Sequence, residues 1–123
     1  MDECKPLHAG GGEVWVFGGS DGEGFRDELY VFNLSENKWR QIKKPETAAA
    51  ASRWPPARGS HTANVVKASS LGAAAKGIGW RPDANVMIIF GGMGNDAATF
   101  LGDVWARSST HAKSSSAFWT LVY

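Results

Sequence analysis

Apolar residues along this chain fall in short runs, parted by stretches rich in glycine, serine and proline. Runs of this length, carrying valine, isoleucine and aromatic residues, predict strands. Glu13–Phe17 is almost continuously apolar, which predicts a strand covered on both faces. Glu28–Leu34 and Lys38–Ile42 follow as a hairpin turned at Ser35-Glu36-Asn37. Within the second of these, Trp39 and Gln41 point to one side and Arg40 and Ile42 to the other. Ser60–Val66, Asn85–Phe90, Asp103–Ala106 and Phe118–Tyr123 complete the predicted strands. Ser20–Arg26 and Met93–Thr99 read as loops. Lys43–Pro56 is a connection whose alanines 48–51 allow one helical turn between flanking prolines. Ala68–Ala84 is an insertion rich in alanine, glycine and serine, expected to be mobile at its tip. Ser108–Ser116 reads as a polar connection.

The runs recur in a fixed order. Val14-Trp15-Val16-Phe17-Gly18-Gly19 is followed by Glu28 ahead of Leu29-Tyr30-Val31-Phe32, then by Trp39-Arg40-Gln41-Ile42. Met87-Ile88-Ile89-Phe90-Gly91-Gly92 is followed by Asp103 ahead of Val104-Trp105, then by Trp119-Thr120-Leu121-Val122. Each copy is an apolar strand closed by Gly-Gly, an acid before a second strand, and a tryptophan opening a third. Such recurrence predicts an array of equivalent small sheets. The paired glycines permit a positive φ or a bulge where a strand must turn.

Gly18-Gly19 and Gly91-Gly92, the aromatics Tyr30 and Trp105, the tryptophans Trp39 and Trp119, and the Arg58-Gly59-Ser60-His61 segment together resemble the kelch repeat of β-propellers. The resemblance implies an all-β chain of two adjacent antiparallel propeller blades, the first incomplete. Its divisions would be an N-terminal segment 1–12, a first repeat 13–44, a connecting loop 45–59 and a second repeat 60–123 carrying the insertion 68–84. Leu7–Ala9 would supply a remnant of the missing inner strand. The two copies are spaced more widely than the about 50 residues of a kelch repeat, and the inserts 45–56 and 68–84 account for the surplus. Trp15, Trp39, Trp105 and Trp119 would pack in the core. Glu28 and Asp103 would accept hydrogen bonds from loop amides, and His61 would bond within its blade.

A closed ring takes about 4 to 8 blades, because each blade buries its apolar faces only against its neighbours. Two blades therefore need further blades or self-association. Three arrangements follow: a piece of a longer propeller, which is the expected one, a ring of several copies, or a small two-sheet sandwich.

Charge and composition narrow the partners. The chain has 123 residues, 43% of them hydrophobic, and 13 basic residues against 12 acidic ones give a net charge of +1. No broad basic field invites nucleic acid or an anionic membrane. No run approaches the roughly 18 apolar residues that cross a bilayer. Cys4 is the single cysteine, so no internal disulfide forms. The opening Met-Asp-Glu-Cys-Lys-Pro leads into no apolar stretch of signal-peptide length. The expected setting is the cytoplasm, with the nucleus as an alternative.

Candidate chemistry is sparse. Gly91-Gly92-Met93-Gly94 lacks the Lys-Ser/Thr of a phosphate loop. Asp21, Glu23, Asp27 and Glu28 do not have the spacing of a calcium loop and read as a solvated turn. His8, His61 and His111 form no local metal motif, and no cofactor is implied. The serines show no nucleophile elbow. Trp54 and Trp80 lie in loops beside Arg53 and Arg81, the residue types that most often dominate binding; each ring can instead fold back over its own loop. Arg58 can pair a partner's carboxylate through its planar fork, or bond a backbone carbonyl between blades.

The expected function is a protein–protein interaction module without enzymatic activity, binding a protein or peptide through Arg53, Trp54, Arg58, Trp80 and Arg81. By the resemblance, such modules also serve as adaptors. The alternative is a piece of a kelch-like propeller enzyme, such as a galactose-oxidase-like copper oxidase or a metal-assisted specifier protein.

Overall fold

A computed structural model describes residues 12–72, 80–96, 99–108 and 119–123. They form two antiparallel sheets. β1 (Glu13–Phe17), β2 (Leu29–Asn33) and β3 (Lys38–Ile42) make the first, in that spatial order. β4 (Thr62–Lys67), β5 (Asn85–Phe90), β6 (Val104–Ser108) and β7 (Trp119–Leu121) make the second, again in chain order. The only helical pieces among the described residues are one turn, α1 (Ala48–Ala51), and a 3-10 turn at Ala68–Leu71. The expected remnant strand at Leu7–Ala9 and most of the Ser108–Ser116 connection lie outside the described residues.

The two sheets share one register. Phe17 stands opposite Leu29, and Phe90 opposite Val104. Trp39 stands opposite Phe32, and Trp119 opposite Arg107. Phe17 and Phe90 are therefore equivalent positions, as are Trp39 and Trp119.

The sheets stack by non-equivalent faces. Side chains alternate along a strand, so Trp15, Phe17, Leu29 and Ile42 share the face of the first sheet that meets the second. Met87, Ile89, Trp105 and Trp119 share the face that receives them, and Trp54 from the connection fills the seam. Phe17 is 3% exposed and Trp119 is 1% exposed, with their rings edge-to-face at 5.4 Å. Phe90 turns away from this seam and is 51% exposed, while Trp39 faces outward from the first sheet at 58%. Stacking of this kind is heterologous: the back of one unit fits the front of the next.

Two sequence expectations change here. β1 is not covered on both faces: Val16, with Tyr30 and Trp39, lies on the open side of the first sheet. Trp39 does not join the core, since among the described residues no third sheet stands where the first sheet stands for Trp119. The two outer faces also differ. On the far side of the second sheet, Ala68, Trp80 and Ala84 pack onto Val86 and Ala106, with Val66, Leu71 and Ile88 beside them. The insertion 68–84 holds this position by extending the β4–β5 hairpin: Ala68 N–H donates to Ala84 O at 2.8 Å and Ser69 N–H to Pro82 O at 3.0 Å. The insertion's tip, residues 73–79, lies outside the described residues.

β6 runs on to Ser108, beyond the expected end at Ala106, because Arg107 and Ser108 are both buried within the sheet. The expected connection begins at Ser108, which the structure places in the strand instead.

Candidate partner-binding site

The strand ends closed by Gly-Gly converge where the sheets meet. Gly18 and Gly91 have φ of +71° and +70°, and an added Cβ at Gly18 would sit 2.6 Å from the Arg58 carbonyl oxygen. Residues 58 and 59 strap the two loops together. Gly19 N–H donates to Arg58 O at 2.9 Å, Arg58 N–H to Arg26 O at 3.2 Å, and Met93 N–H to Gly59 O at 2.8 Å. The strap accounts for the sequence Ala57-Arg58-Gly59: Gly59 lies against the Phe25 ring, which leaves no room for a side chain.

Arg58 anchors this region from inside. Its fully buried guanidinium forms a two-pronged pair with Asp103, Nη1 to Oδ1 at 2.7 Å and Nη2 to Oδ2 at 2.8 Å. Nη1 also donates to Gly91 O at 3.0 Å, and Nε to Pro56 O at 3.2 Å. The Asp103 carboxylate takes a further bond from Trp105 Nε1 at 2.8 Å. These donors, the Arg58 fork first, hold its carboxyl below the usual aspartate value. In the first sheet the equivalent acid, Glu28, is bound instead by Arg26 of its own loop, and this bond lowers its pKa. His61 packs edge-to-face on Phe17 across the seam, 6.0 Å between centroids, and burial lowers its pKa.

The loops above this anchor form an open cleft of about 290 Å³, lined by Asp21, Glu23, Gly24, Phe25, Arg26 and Asn95. It spans the two sheets. Asn95 from the second loop clasps the first: Phe25 N–H donates to Asn95 Oδ1 at 2.8 Å, and Asn95 Nδ2 donates to Phe25 O at 3.0 Å. Asp21 Oδ1 accepts from the N–H groups of Glu23 and Gly24, at 2.9 and 3.1 Å, which shapes the loop and lowers the Asp21 pKa. Arg26 bridges Asp21, at 3.4 Å, and Glu28. The cleft thus offers carboxylates, one guanidinium and an amide on a fixed backbone.

The family model of the kelch motif matches residues 4–46. This segment is similar to the kelch motif. No curated protein and no solved structure matches it. The matched span covers all of β1, β2 and β3, whose Gly18-Gly19, Glu28, Tyr30 and Trp39 carry the resemblance. The second sheet repeats the same register with Gly91-Gly92, Asp103, Trp105 and Trp119, so the two sheets are equivalent antiparallel units.

In this two-sheet framework, the five residues expected to meet a partner do not come together. Trp54 lies in the seam, its Nε1 donating to Asp27 O at 2.7 Å. Arg58 is the buried anchor, and Trp80 covers the far face of the second blade. These three side chains are taken off the surface that a partner would touch. Arg53 and Arg81 are exposed, and Arg81 pairs with Asp83 at 3.3 Å. The cleft residues Arg26 and Asn95 had not been singled out. Their signal was the matching place of the two loops after each Gly-Gly, where Ser20 bridges Phe25 and Met93 bridges Phe100. Among the described residues, no group of three or more His, Cys, Asp or Glu side chains could hold a metal ion, and no helix is long and apolar enough to cross a membrane.

Proposed function

We propose that this chain is a kelch-type interaction module that binds a protein or peptide partner through the loops at its Gly-Gly end. Kelch motifs generally mediate protein interactions. The observation that carries the reading is the cleft between blades, whose two walls are locked by the Asn95–Phe25 bonds. A pre-formed polar cleft loses little conformational entropy on binding. Asp21, Glu23, Arg26 and Asn95 would select an extended polar segment, and Arg26 could exchange its exposed intraloop bonds for a partner's acid. An adaptor role would use this face for recruitment.

The test is selection of peptides from a displayed random library on the intact chain, followed by affinity measurement. Arg26→Ala and Asn95→Ala together are expected to weaken the selected peptides at least tenfold, and Arg81→Ala to leave them unchanged. Equal affinity for all three proteins would contradict the reading. Stoichiometric copper or iron in the purified protein would favour the propeller-enzyme alternative instead.

A further inference from the structure

Arg107 and Trp119 stand opposite each other on β6 and β7, on the face of the second blade that turns toward the first. Arg107 is only 8% exposed. Its Nε has no acceptor among the described residues, and neither has Nε1 of Trp119. The guanidinium carbon lies 5.8 Å from the centre of the Trp54 ring, and that ring lies 6.4 Å from Trp119. No carboxylate among the described residues pairs with Arg107. The contrast within one protein is sharp: buried Arg58 has acceptors on both Nη atoms and on Nε.

Buried donors are almost always bonded, and a buried cation is almost always paired. A cation over an indole face is partly compensated, yet that contact satisfies no N–H. Burial accordingly pushes the Arg107 pKa down. Two neighbouring donors, one of them charged, lack an acceptor among the described residues in the same apolar setting.

We propose that Arg107 and Trp119 form a receiving site for a single carboxylate, with the Trp54 ring as one wall, and that its ligand is an aspartate or glutamate side chain of a peptide partner. One negative charge neutralises one guanidinium, and the planar fork matches a carboxylate's two oxygens. A phosphate dianion would leave excess charge and unbonded oxygens in an apolar seam. This site is separate from the loop cleft: Arg107 sits toward the end of β6 remote from Gly91-Gly92, since β6 begins with Val104 opposite Phe90. It stands or falls independently of the cleft.

The experiment is nuclear magnetic resonance of the indole N–H signals of the intact chain, with Trp119 assigned through Trp119→Phe. Acetate, inorganic phosphate and chloride are titrated at matched ionic strength, then a blocked Ala-Glu-Ala peptide and its glutamine counterpart. The expected result is a saturable shift of the Trp119 signal with acetate and, at lower concentration, with the glutamate peptide. The glutamine peptide and chloride should give none, and Arg107→Gln should weaken binding at least tenfold. Equal response to the glutamate and glutamine peptides overturns the proposal without recourse to any variant. A stronger response to phosphate than to acetate overturns the carboxylate assignment, and acetate binding without glutamate-peptide binding overturns the peptide as source.

Discussion

Trp39 and Trp119 occupy the same register position in consecutive blades, opposite Phe32 and Arg107, yet one is exposed and the other is sealed by Phe17 and Trp54. The difference lies in the neighbours. Trp119 faces the first blade, and Trp39 faces outward from it. The same logic separates Phe25, covered by the Gly59 strap, from Phe100, which is 77% exposed at the matching place in the second loop. Stacking is thus a property of faces, and each face is read from the unit next to it.

The Arg58–Asp103 pair should dominate local stability. Arg58→Met leaves the part-exposed Asp103 carboxylate without its main partner, at a cost of about 1–3 kcal/mol. The folded-state pKa of Asp103 is depressed. Its contribution is therefore full above the unfolded value near 3.8 and is lost as pH falls through the lower folded value. Denaturant melts from pH 7 to pH 2.5 should show this acid-dependent loss in the parent and a smaller one in Arg58→Met.

Gly18 and Gly19 separate backbone strain from contact. Both have positive φ, but a Cβ at Gly19 meets nothing within 4 Å, whereas one at Gly18 meets the Arg58 carbonyl. Gly19→Ala should cost the left-handed conformation alone, about 1 kcal/mol. Gly18→Ala should cost at least ~2 kcal/mol, because the strap must also move. Urea melts of both variants check the order.

His61 gives the seam a pH dependence near neutrality. Burial favours the neutral ring, so its folded-state pKa lies below the unfolded 6.5. The stabilising contribution is complete above pH 6.5 and is lost as pH falls through that value toward the lower folded one. His61→Phe keeps an aromatic ring against Phe17 and removes the titration. Between pH 7.5 and pH 5 the parent should lose more stability than the variant; parallel curves would contradict the assignment.

Trp80 should act as a cover. Trp80→Ala opens the Val86–Ala106 face, at a cost of about 3–5 kcal/mol for a buried tryptophan. Dye binding to apolar surface should rise under native conditions. Arg81→Ala, on the exposed neighbour, should change neither stability nor dye binding.

Much of the framework was legible because it is local. Strand positions follow from runs of a few apolar residues, and Gly-Gly marks strand ends through the positive φ that L side chains avoid. The equivalence of the blades was legible as ordered recurrence. The fates of the tryptophans were not. Trp54 and Trp80 sit in polar, proline-flanked segments, and their burial depends on sheets distant in the chain. Trp39 looks like a core residue by position, and only a missing neighbour exposes it. Arg107 and Ser108 fall beyond the expected strand end because burial of polar residues there leaves no periodic trace. The cleft required knowing that Asn95 reaches Phe25, seventy positions earlier, which no local pattern encodes.

The stacking of the two blades is tested most directly by paired truncation of the matched tryptophans. Trp119→Ala and Trp39→Ala are compared by denaturant unfolding of otherwise identical chains. Loss of about 3–5 kcal/mol for Trp119 against less than about 1 kcal/mol for Trp39 is predicted. Equal losses at the two positions would contradict head-to-tail packing of the sheets.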